Sequence, residues 1–498
     1  MTFQRIAHAM AVILIFGACV PSVTSAQVAV SVTMTTGDKS NLLASQPLVY
    51  FGSGSGSGTY TIQVTPSSVL QPWDGVGAAL TDSAATVLDA LPSSQLSPLL
   101  QQLYTQSGVG FNMVRVPMGA SDMSASGSYS YDDMPAGATD PELANFSIAH
   151  DLNAIVPILQ DISSLNSNMK LLAEPWSPPA WMKTNSSMDG VSGASNSTSQ
   201  IIAADFPYLA NYFVKFIQAY ANQGLQISAV SPQNEPLNTQ GGYPSAILTA
   251  NDEASFIVNN LAPALADASL SSVKIFGLED NFADSSYAQT LLGSSASSYL
   301  VGTSFHWYNG SVSSMQTVQA MDTTKGVWFT EASGTVSCPG GAGTCPTLTG
   351  STFSASGFKT QMQELTIGVP QNSGRSILGW NLALNQNEGP TNGGCYNCVG
   401  IVTVDSSTSP ASIYYNTTYY ALGHIGKFVT PGAHVISTTT QDSTGIQDVG
   451  FVNPDGTLVL VAFNGGSSST IFTVAWNSQT FDYTLPAGAA VTFKWSPS

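Results

Sequence analysis

Residues 204–236 read Ala204-Asp205-Phe206-Pro207-Tyr208-Leu209-Ala210-Asn211-Tyr212-Phe213-Val214-Lys215-Phe216-Ile217-Gln218-Ala219-Tyr220-Ala221, then a Gly-containing link, then Ile227-Ser228-Ala229-Val230-Ser231-Pro232-Gln233-Asn234-Glu235-Pro236. Phe206, Leu209, Phe213, Phe216, Ile217 and Tyr220 recur at helical spacing. The short apolar run after the link is a strand, and it stops at a polar, Pro-bounded segment. The same alternation continues in both directions. Candidate strands are Val76–Ala79, Met113–Pro117, Lys170–Ala173, Ile227–Ser231, Val273–Leu278, Gly302–Trp307, Gly326–Thr330 and Ser376–Trp380, with helical patterns between them such as Asn251–Ala266. Eight βα units within residues 70–424 predict an α/β fold of the (β/α)8 (TIM) barrel type. A doubly wound sheet would also alternate, but Asp74-Gly75-Val76-Gly77-Ala78 lacks the helix start and ribose-binding acid of a dinucleotide site. It reads as a tight strand entry, and a nucleotide-dependent oxidoreductase is left without its signature.

The chain ends have a different period. Val28, Val30, Val32 and Met34 alternate with polar residues, and Val49–Phe51 and Tyr60–Val64 flank a Gly-Ser repeat. Thr457–Phe463, Phe472–Trp476, Phe481–Tyr483 and Val491–Trp495 continue the pattern at the other end. Neither set closes a sheet alone, so residues 27–69 and 425–498 are expected to pack together as one side β-sandwich. Residues 1–26 read as an export signal: Arg5 and His8, the apolar run Ala9–Phe16, and Thr24-Ser25-Ala26 as the cleavage site. Phe16-Gly17-Ala18-Cys19 also resembles a lipoprotein signal, an alternative anchor. A secreted protein, extracellular or periplasmic, is expected, and no other stretch is long and apolar enough to cross a bilayer.

Charged residues are 8% of the 498, against ~25% in an ordinary globular chain. Lys+Arg is 12 and Asp+Glu is 30, for a net charge of −18. So few cations cannot form a phosphate-neutralising face, which excludes nucleic acid and disfavours anionic partners. Four cysteines remain after Cys19, in two Gly-rich loops. Local pairs Cys338–Cys345 and Cys395–Cys398 are the simplest arrangement, although four cysteines allow three connectivities. The loops lack zinc-knuckle spacing and a strand–helix redox context.

Polar residues at barrel strand ends converge on one face. Here the ends carry Arg115 through Asp122, Glu174-Pro175-Trp176, Gln233-Asn234-Glu235, His306-Trp307-Tyr308-Asn309, Glu331 and Trp380-Asn381. One strand-end carboxylate could be a helix cap or a partner of Arg115. Four of them, Asp122, Glu174, Glu235 and Glu331, interleaved with Trp176, Trp307 and Trp380, suit a sugar site. Flat rings cover the C–H faces of a pyranose, and amides and carboxylates bond its hydroxyls. Glu235 and Glu331 end strands three barrel units apart and face each other across the mouth, as a glycosidase requires.

These residues resemble glycoside hydrolase family 30. The matching pieces are Trp73-Asp74-Gly75-Val76-Gly77-Ala78, Arg115-Val116-Pro117-Met118-Gly119, Trp176-Ser177-Pro178-Pro179-Ala180-Trp181, Ser231-Pro232-Gln233-Asn234-Glu235-Pro236, Phe305-His306-Trp307-Tyr308, Thr330-Glu331 and Gly379-Trp380-Asn381-Leu382-Ala383-Leu384-Asn385. The resemblance implies a retaining mechanism with Glu235 as acid/base and Glu331 as nucleophile, needing neither metal nor cofactor. It implies that Asn234 bonds the sugar 2-hydroxyl, that Asp122 and Trp176 are hydroxyl ligands, and that Trp380 forms the subsite floor. His306 and Tyr308 orient Glu331 or the substrate, Asn392 is a further ligand, and Arg115 keeps a carboxylate ionised. As the acid, Glu235 is expected to have a raised pKa.

The Gly393-Gly394-Cys395-Tyr396-Asn397-Cys398 loop looks most like the β-1,6-glucanase group, with Val399 where that group often has Arg. The best expectation is thus an endo-β-1,6-glucanase, a monomer acting on neutral β-glucan. The alternatives are a glucosylceramidase-like β-glucosidase, a β-xylosidase or xylanase of the same family, and a non-catalytic carbohydrate-binding protein on this fold. Lys359 and Arg375 precede strand eight and loops seven and eight carry no cation, which argues against a reader of glucuronic acid.

Overall fold

The computed structural model describes Met1 and residues 27–193, 198–341, 343–439 and 445–497. The expected export segment, with Cys19, lies outside the described residues. Eight parallel strands close into a barrel: β1 (Gly75–Ala79), β2 (Met113–Pro117), β3 (Lys170–Glu174), β4 (Ile227–Val230), β5 (Lys274–Asn281), β6 (Leu300–His306), β7 (Gly326–Glu331) and β8 (Gly374–Gly379). They follow one another around the barrel, and β8 pairs back on β1 with Ile377 opposite Val76. These are the eight strands the sequence predicts, with the end of β5 moved. Leu278 and Glu279 adopt φ values of 74° and 59°, and the register to β6 shifts between Leu278 and Asp280. This bulge carries β5 three residues beyond the expected Leu278.

The expected helix after the third crossover forms at Phe206–Asn222 and buries Phe206, Leu209, Phe213, Phe216, Ile217 and Tyr220. Each such side chain contributes ~1.5–3 kcal/mol of burial, which fixes the helix on the sheet. The pattern at 251–266 becomes two α-helical pieces, Ala250–Phe256 and Ala262–Asp267, joined by a π-turn at Ile257–Leu261. The wider turn precedes Pro263, whose ring would collide with the carbonyl of a regular α-helical turn.

The chain ends build one nine-stranded sheet folded into a sandwich. Ala29–Thr35 pairs antiparallel with Ala490–Trp495, so the two ends of the chain lie side by side. Thr61–Pro72 is long enough to pair with His434–Thr438 and, over its first residues, with Thr470–Trp476. A bridge between Gly52 and Thr480 nearly closes the sheet. Val30, Val32, Ile62, Leu460, Val474, Phe481 and Phe493 fill the space between the layers. Among the described residues no helix is long and apolar enough to span a membrane.

Candidate active site

The carboxyl ends of the strands surround a cavity of about 350 Å³. At its base lies Arg115, the central residue of β2, fully buried. Its Nε meets Glu174 Oε1 at 2.7 Å, one Nη donates to Glu331, and the other reaches Asn234 Oδ1 at 2.7 Å and Glu279 Oε1 at 3.4 Å. Burial alone would weaken this guanidinium's hold on its proton. The charges of Glu174, Glu331 and Glu279 reverse that and raise its pKa, so Arg115 is a permanent cation. Trp176 and Trp380 stack on each other at 4.9 Å and cover the guanidinium at 4.8 and 5.5 Å. The two indoles thus line the floor while shielding the charge beneath it.

Glu331 ends β7. One of its oxygens accepts from Arg115, and Oε1 accepts from the Tyr308 hydroxyl at 2.8 Å. Glu235 follows β4 in a left-handed conformation with φ 42°. It is held there by its backbone N–H donating to Glu279 O at 2.9 Å. Its Oε1 lies 3.1 Å from His306 Nδ1, and its Oε2 accepts from Asn238 Nδ2 at 2.8 Å. Glu235, His306 and Glu331 each present an atom within 4.8 Å of the other two. Oxygens this close suit the ~5–5.5 Å carboxyl separation of a retaining pair better than the ~6.5–9.5 Å of an inverting one. No other group of His, Cys, Asp and Glu among the described residues could gather a metal ion. In this one, His306 already spends both ring nitrogens on carboxylates, Glu235 at Nδ1 and Glu279 at Nε2, 3.3 Å away.

The proton in this group sits differently from the expectation. Burial pushes His306 down, but the charge of Glu331 and the hydrogen bonds to Glu235 and Glu279 raise it to about 10. Burial pushes Glu235 up, yet the His306 hydrogen bond and charge, with help from Asn238 and Arg115, hold it below the ordinary glutamate value. The raised Glu235 expected from its acid role is therefore not found in the open site. The imidazole beside it carries the proton instead. Asp122 is pushed up to about 7 by burial and by the charges of Glu331 and Glu235. Its Oδ1 is buried without a protein partner, while Oδ2 meets the Cys395 N–H at 3.4 Å.

Asp122, Trp176, Asn234, Glu235, Tyr308, Glu331 and Trp380 all line the cavity, with Arg115 and His306 directly beneath. Two expected residues do not join them. Trp307 comes directly after His306, the last residue of β6, and its side chain turns away from the mouth to pack against the outer hydrophobic core. Asn392 lies behind the wall: its amide donates to Ser121 O and Ser128 Oγ at 3.1 Å, and its backbone N–H to Asp122 O at 2.7 Å. It positions the Asp122 loop.

The cavity also contains residues that the strand-end reading missed: Asn238, Gln240 and Tyr243 after β4, Asn281 at the end of β5, and Tyr396. Glu279 belongs with them: it directly follows the expected strand Val273–Leu278, as Glu174 and Glu331 follow theirs, and the bulge then draws it into β5 beneath the cavity. The Gly242 and Gly393–Cys398 segments meet over the mouth, where a Cβ on Gly393 would stand 1.8 Å from Gly242 O and one on Gly394 2.2 Å from Asp122 Cβ. Only glycines permit this approach. The cysteines pair locally, Cys338–Cys345 and Cys395–Cys398, as is usual outside reducing compartments.

Residues 73–429 match the glycosyl hydrolase family 30 TIM-barrel domain, and residues 432–493 match the beta sandwich domain of that family. An endo-1,6-beta-D-glucanase of Aspergillus fumigatus is 34% identical over 454 residues, covering 87% of each chain. The lysosomal acid glucosylceramidase of Mus musculus is 29% identical, covering 87% of this chain and 83% of its own. The solved endo-beta1,6-glucanase BT3312 superposes with a TM-score of 0.82 at 28% identity, covering 94% of this chain and all (100%) of that one. With two opposed carboxylates over a buried Arg–Glu cluster and both domains matched in order, this chain belongs to glycosyl hydrolase family 30.

Proposed function

We propose that this chain is a secreted, monomeric endo-β-1,6-glucanase acting with retention. The observation that carries the reading is the mouth itself. It sets Glu235 and Glu331 within 4.8 Å of His306 and of each other, and its lining contains no Lys or Arg. A neutral sugar can rest on Trp380 and Trp176, with Asp122 and Asn234 bonding its hydroxyls, whereas a uronic acid would find no Lys or Arg in the lining to pair its charge and three carboxylates to repel it. Asn238, Tyr243 and Asn281 extend the site on the Glu235 side, where the leaving glucose units lie. Similarity to the fungal and BT3312 glucanases supports the 1,6 linkage.

In this mechanism Glu331, oriented by Arg115 and Tyr308, attacks the anomeric carbon. The proton on His306 Nδ1 passes to Glu235 Oε1 and on to the departing glycosidic oxygen. Glu331 becomes an ester and loses its charge. That charge is the leading attraction raising His306, so the imidazole no longer draws the proton back while the leaving sugar departs. Glu235, now ionised beside a neutral imidazole, takes a proton from water as the water opens the ester. The restored Glu331 charge then favours imidazolium again.

Product analysis on linear β-1,6-glucan beside gentiobiose, a xylan and glucosylceramide tests the substrate. Early release of mixed β-1,6-oligosaccharides supports the reading. Cleavage of xylan or glucosylceramide without the glucan overturns it.

A further inference from the structure

The other end of the barrel holds a larger cavity, about 670 Å³, at the amino ends of the strands. Lys170, Lys274, Lys325 and Arg375 line it, facing one carboxylate, Asp74. These are four of the 12 cations in a chain of net charge −18, so their meeting in one cavity is far from an even spread. Part of the cluster is structural. Asp74 ties β1 to β3 and β8 through Lys170 at 2.8 Å and Arg375 at 3.0 Å, and it accepts from Trp328 Nε1 at 2.9 Å. Lys325 donates to Ser297 O and Leu300 O at 2.6 and 2.8 Å. These bonds do not account for the open cavity, nor for Lys274, which is exposed and has no side-chain partner among the described residues. The inner wall is apolar: Leu172, Ala229, Phe276 and Trp328 form a separate cluster. Within it Trp328 stacks on Phe276 at 4.3 Å, and Arg375 lies over the Trp328 ring at 4.8 Å.

We propose that this end of the barrel is a second ligand site for an organic anion with an apolar body, its body against Phe276 and Trp328 and its acidic head between Lys274, Lys170 and Lys325. An apolar floor below a rim of surplus positive charge selects that amphiphile over a neutral sugar or a small inorganic anion. The site is independent of the glycosidase reading, because it shares no residue with the mouth.

The probe is the aryl sulfonate 8-anilinonaphthalene-1-sulfonate, titrated by fluorescence into the full chain, with neutral N-phenyl-1-naphthylamine as the uncharged control. One saturable site is expected, weakened about tenfold in Lys274→Glu, where an attraction to the sulfonate becomes a repulsion. It is expected to be abolished in Ser272→Trp, which fills the exposed rim. Both substitutions sit on the surface and leave glucan hydrolysis unchanged, which reports that the fold survives. Absent saturable binding, equal affinity for the neutral probe, or the same affinity in both variants would overturn the proposal.

Discussion

At the carboxyl end of the barrel, Asp122, Glu174, Glu235, Glu279 and Glu331 crowd round two buried cations, Arg115 and His306. At the amino end, Lys170, Lys274, Lys325 and Arg375 face Asp74. In a chain with 8% charged residues, the two ends of one barrel have concentrated opposite signs. The difference lies in how each cluster is held. At the acidic end the charges are sealed under indoles and bonded to one another, so their proton affinities are driven far apart: Glu279 is held at about 2 while His306 is raised to about 10. At the basic end Lys170, Lys274 and Arg375 stay at least partly open to water, and the pairing of Lys170 and Arg375 with Asp74 acts as a surface staple. Burial, rather than the number of charges, makes one end reactive.

The largest effect on this contrast is expected from removing the proposed nucleophile. Glu331→Gln is expected to lower kcat on β-1,6-glucan by roughly 10⁴-fold or more while oligosaccharide still binds by calorimetry. Removing the cation beneath comes next. Arg115→Met leaves Glu174, Glu279 and Glu331 uncompensated in the interior, and ~3–5 kcal/mol of stability should be lost in denaturant unfolding. Arg115→Lys should restore little of it, since one ammonium cannot reach three carboxylates and Asn234 together.

His306→Asn should cut kcat by about 100-fold. It should also move the basic limb of the kcat/KM profile to lower pH. The wild-type proton is lost only as pH rises through about 10, and without the imidazole it must be held by Glu235 alone. A basic limb that does not move would remove His306 from the proton path.

The smallest effect is a difference in sign between the ends. At the basic end, burial raises Asp74 but Arg375 and Lys170 outweigh it and hold its pKa down. Its contribution is thus present above the unfolded value and fades as pH falls. Asp74→Asn should cost about 1 kcal/mol near pH 7 and less near pH 3. At the acidic end Asp122 is raised to about 7, so its stability contribution is present at low pH and is lost as pH rises through 7. Asp122→Asn should therefore stabilise the fold at pH 8 relative to pH 5, by up to ~1 kcal/mol per pH unit. Melting temperatures across pH 3–9 check both signs together.

Much of the acidic end is legible in sequence, because strand ends, Pro boundaries and scarce carboxylates mark Glu235, Glu331, Asp122 and Glu174 directly. Glu279 is legible in part. Its position just after the expected strand Val273–Leu278 carries the same strand-end signal as Glu174 and Glu331; what is not legible is the bulge with two left-handed residues, Leu278 and Glu279, that turns it under Arg115 and His306. Asn238, Tyr243 and Tyr396 reach the mouth on loops whose paths are set by tertiary packing, as at Gly393 against Gly242. The basic end is invisible in sequence for another reason. Its four cations come from the starts of four separate strands, each of which carries only one, and only closure of the barrel brings them together.

If Glu331 attacks while the Glu235–His306 pair handles the proton, as proposed, the covalent intermediate can be trapped on Glu331. The protein is incubated with 2-deoxy-2-fluoro-β-glucosyl fluoride, weighed intact, and mapped by peptide mass spectrometry. A single fluoroglucosyl adduct is expected on Glu331, released faster when an acceptor glucoside is added, with no adduct in Glu331→Gln. A label on Glu235 or Asp122, or first products of inverted anomeric configuration with no adduct at all, would contradict the proposal.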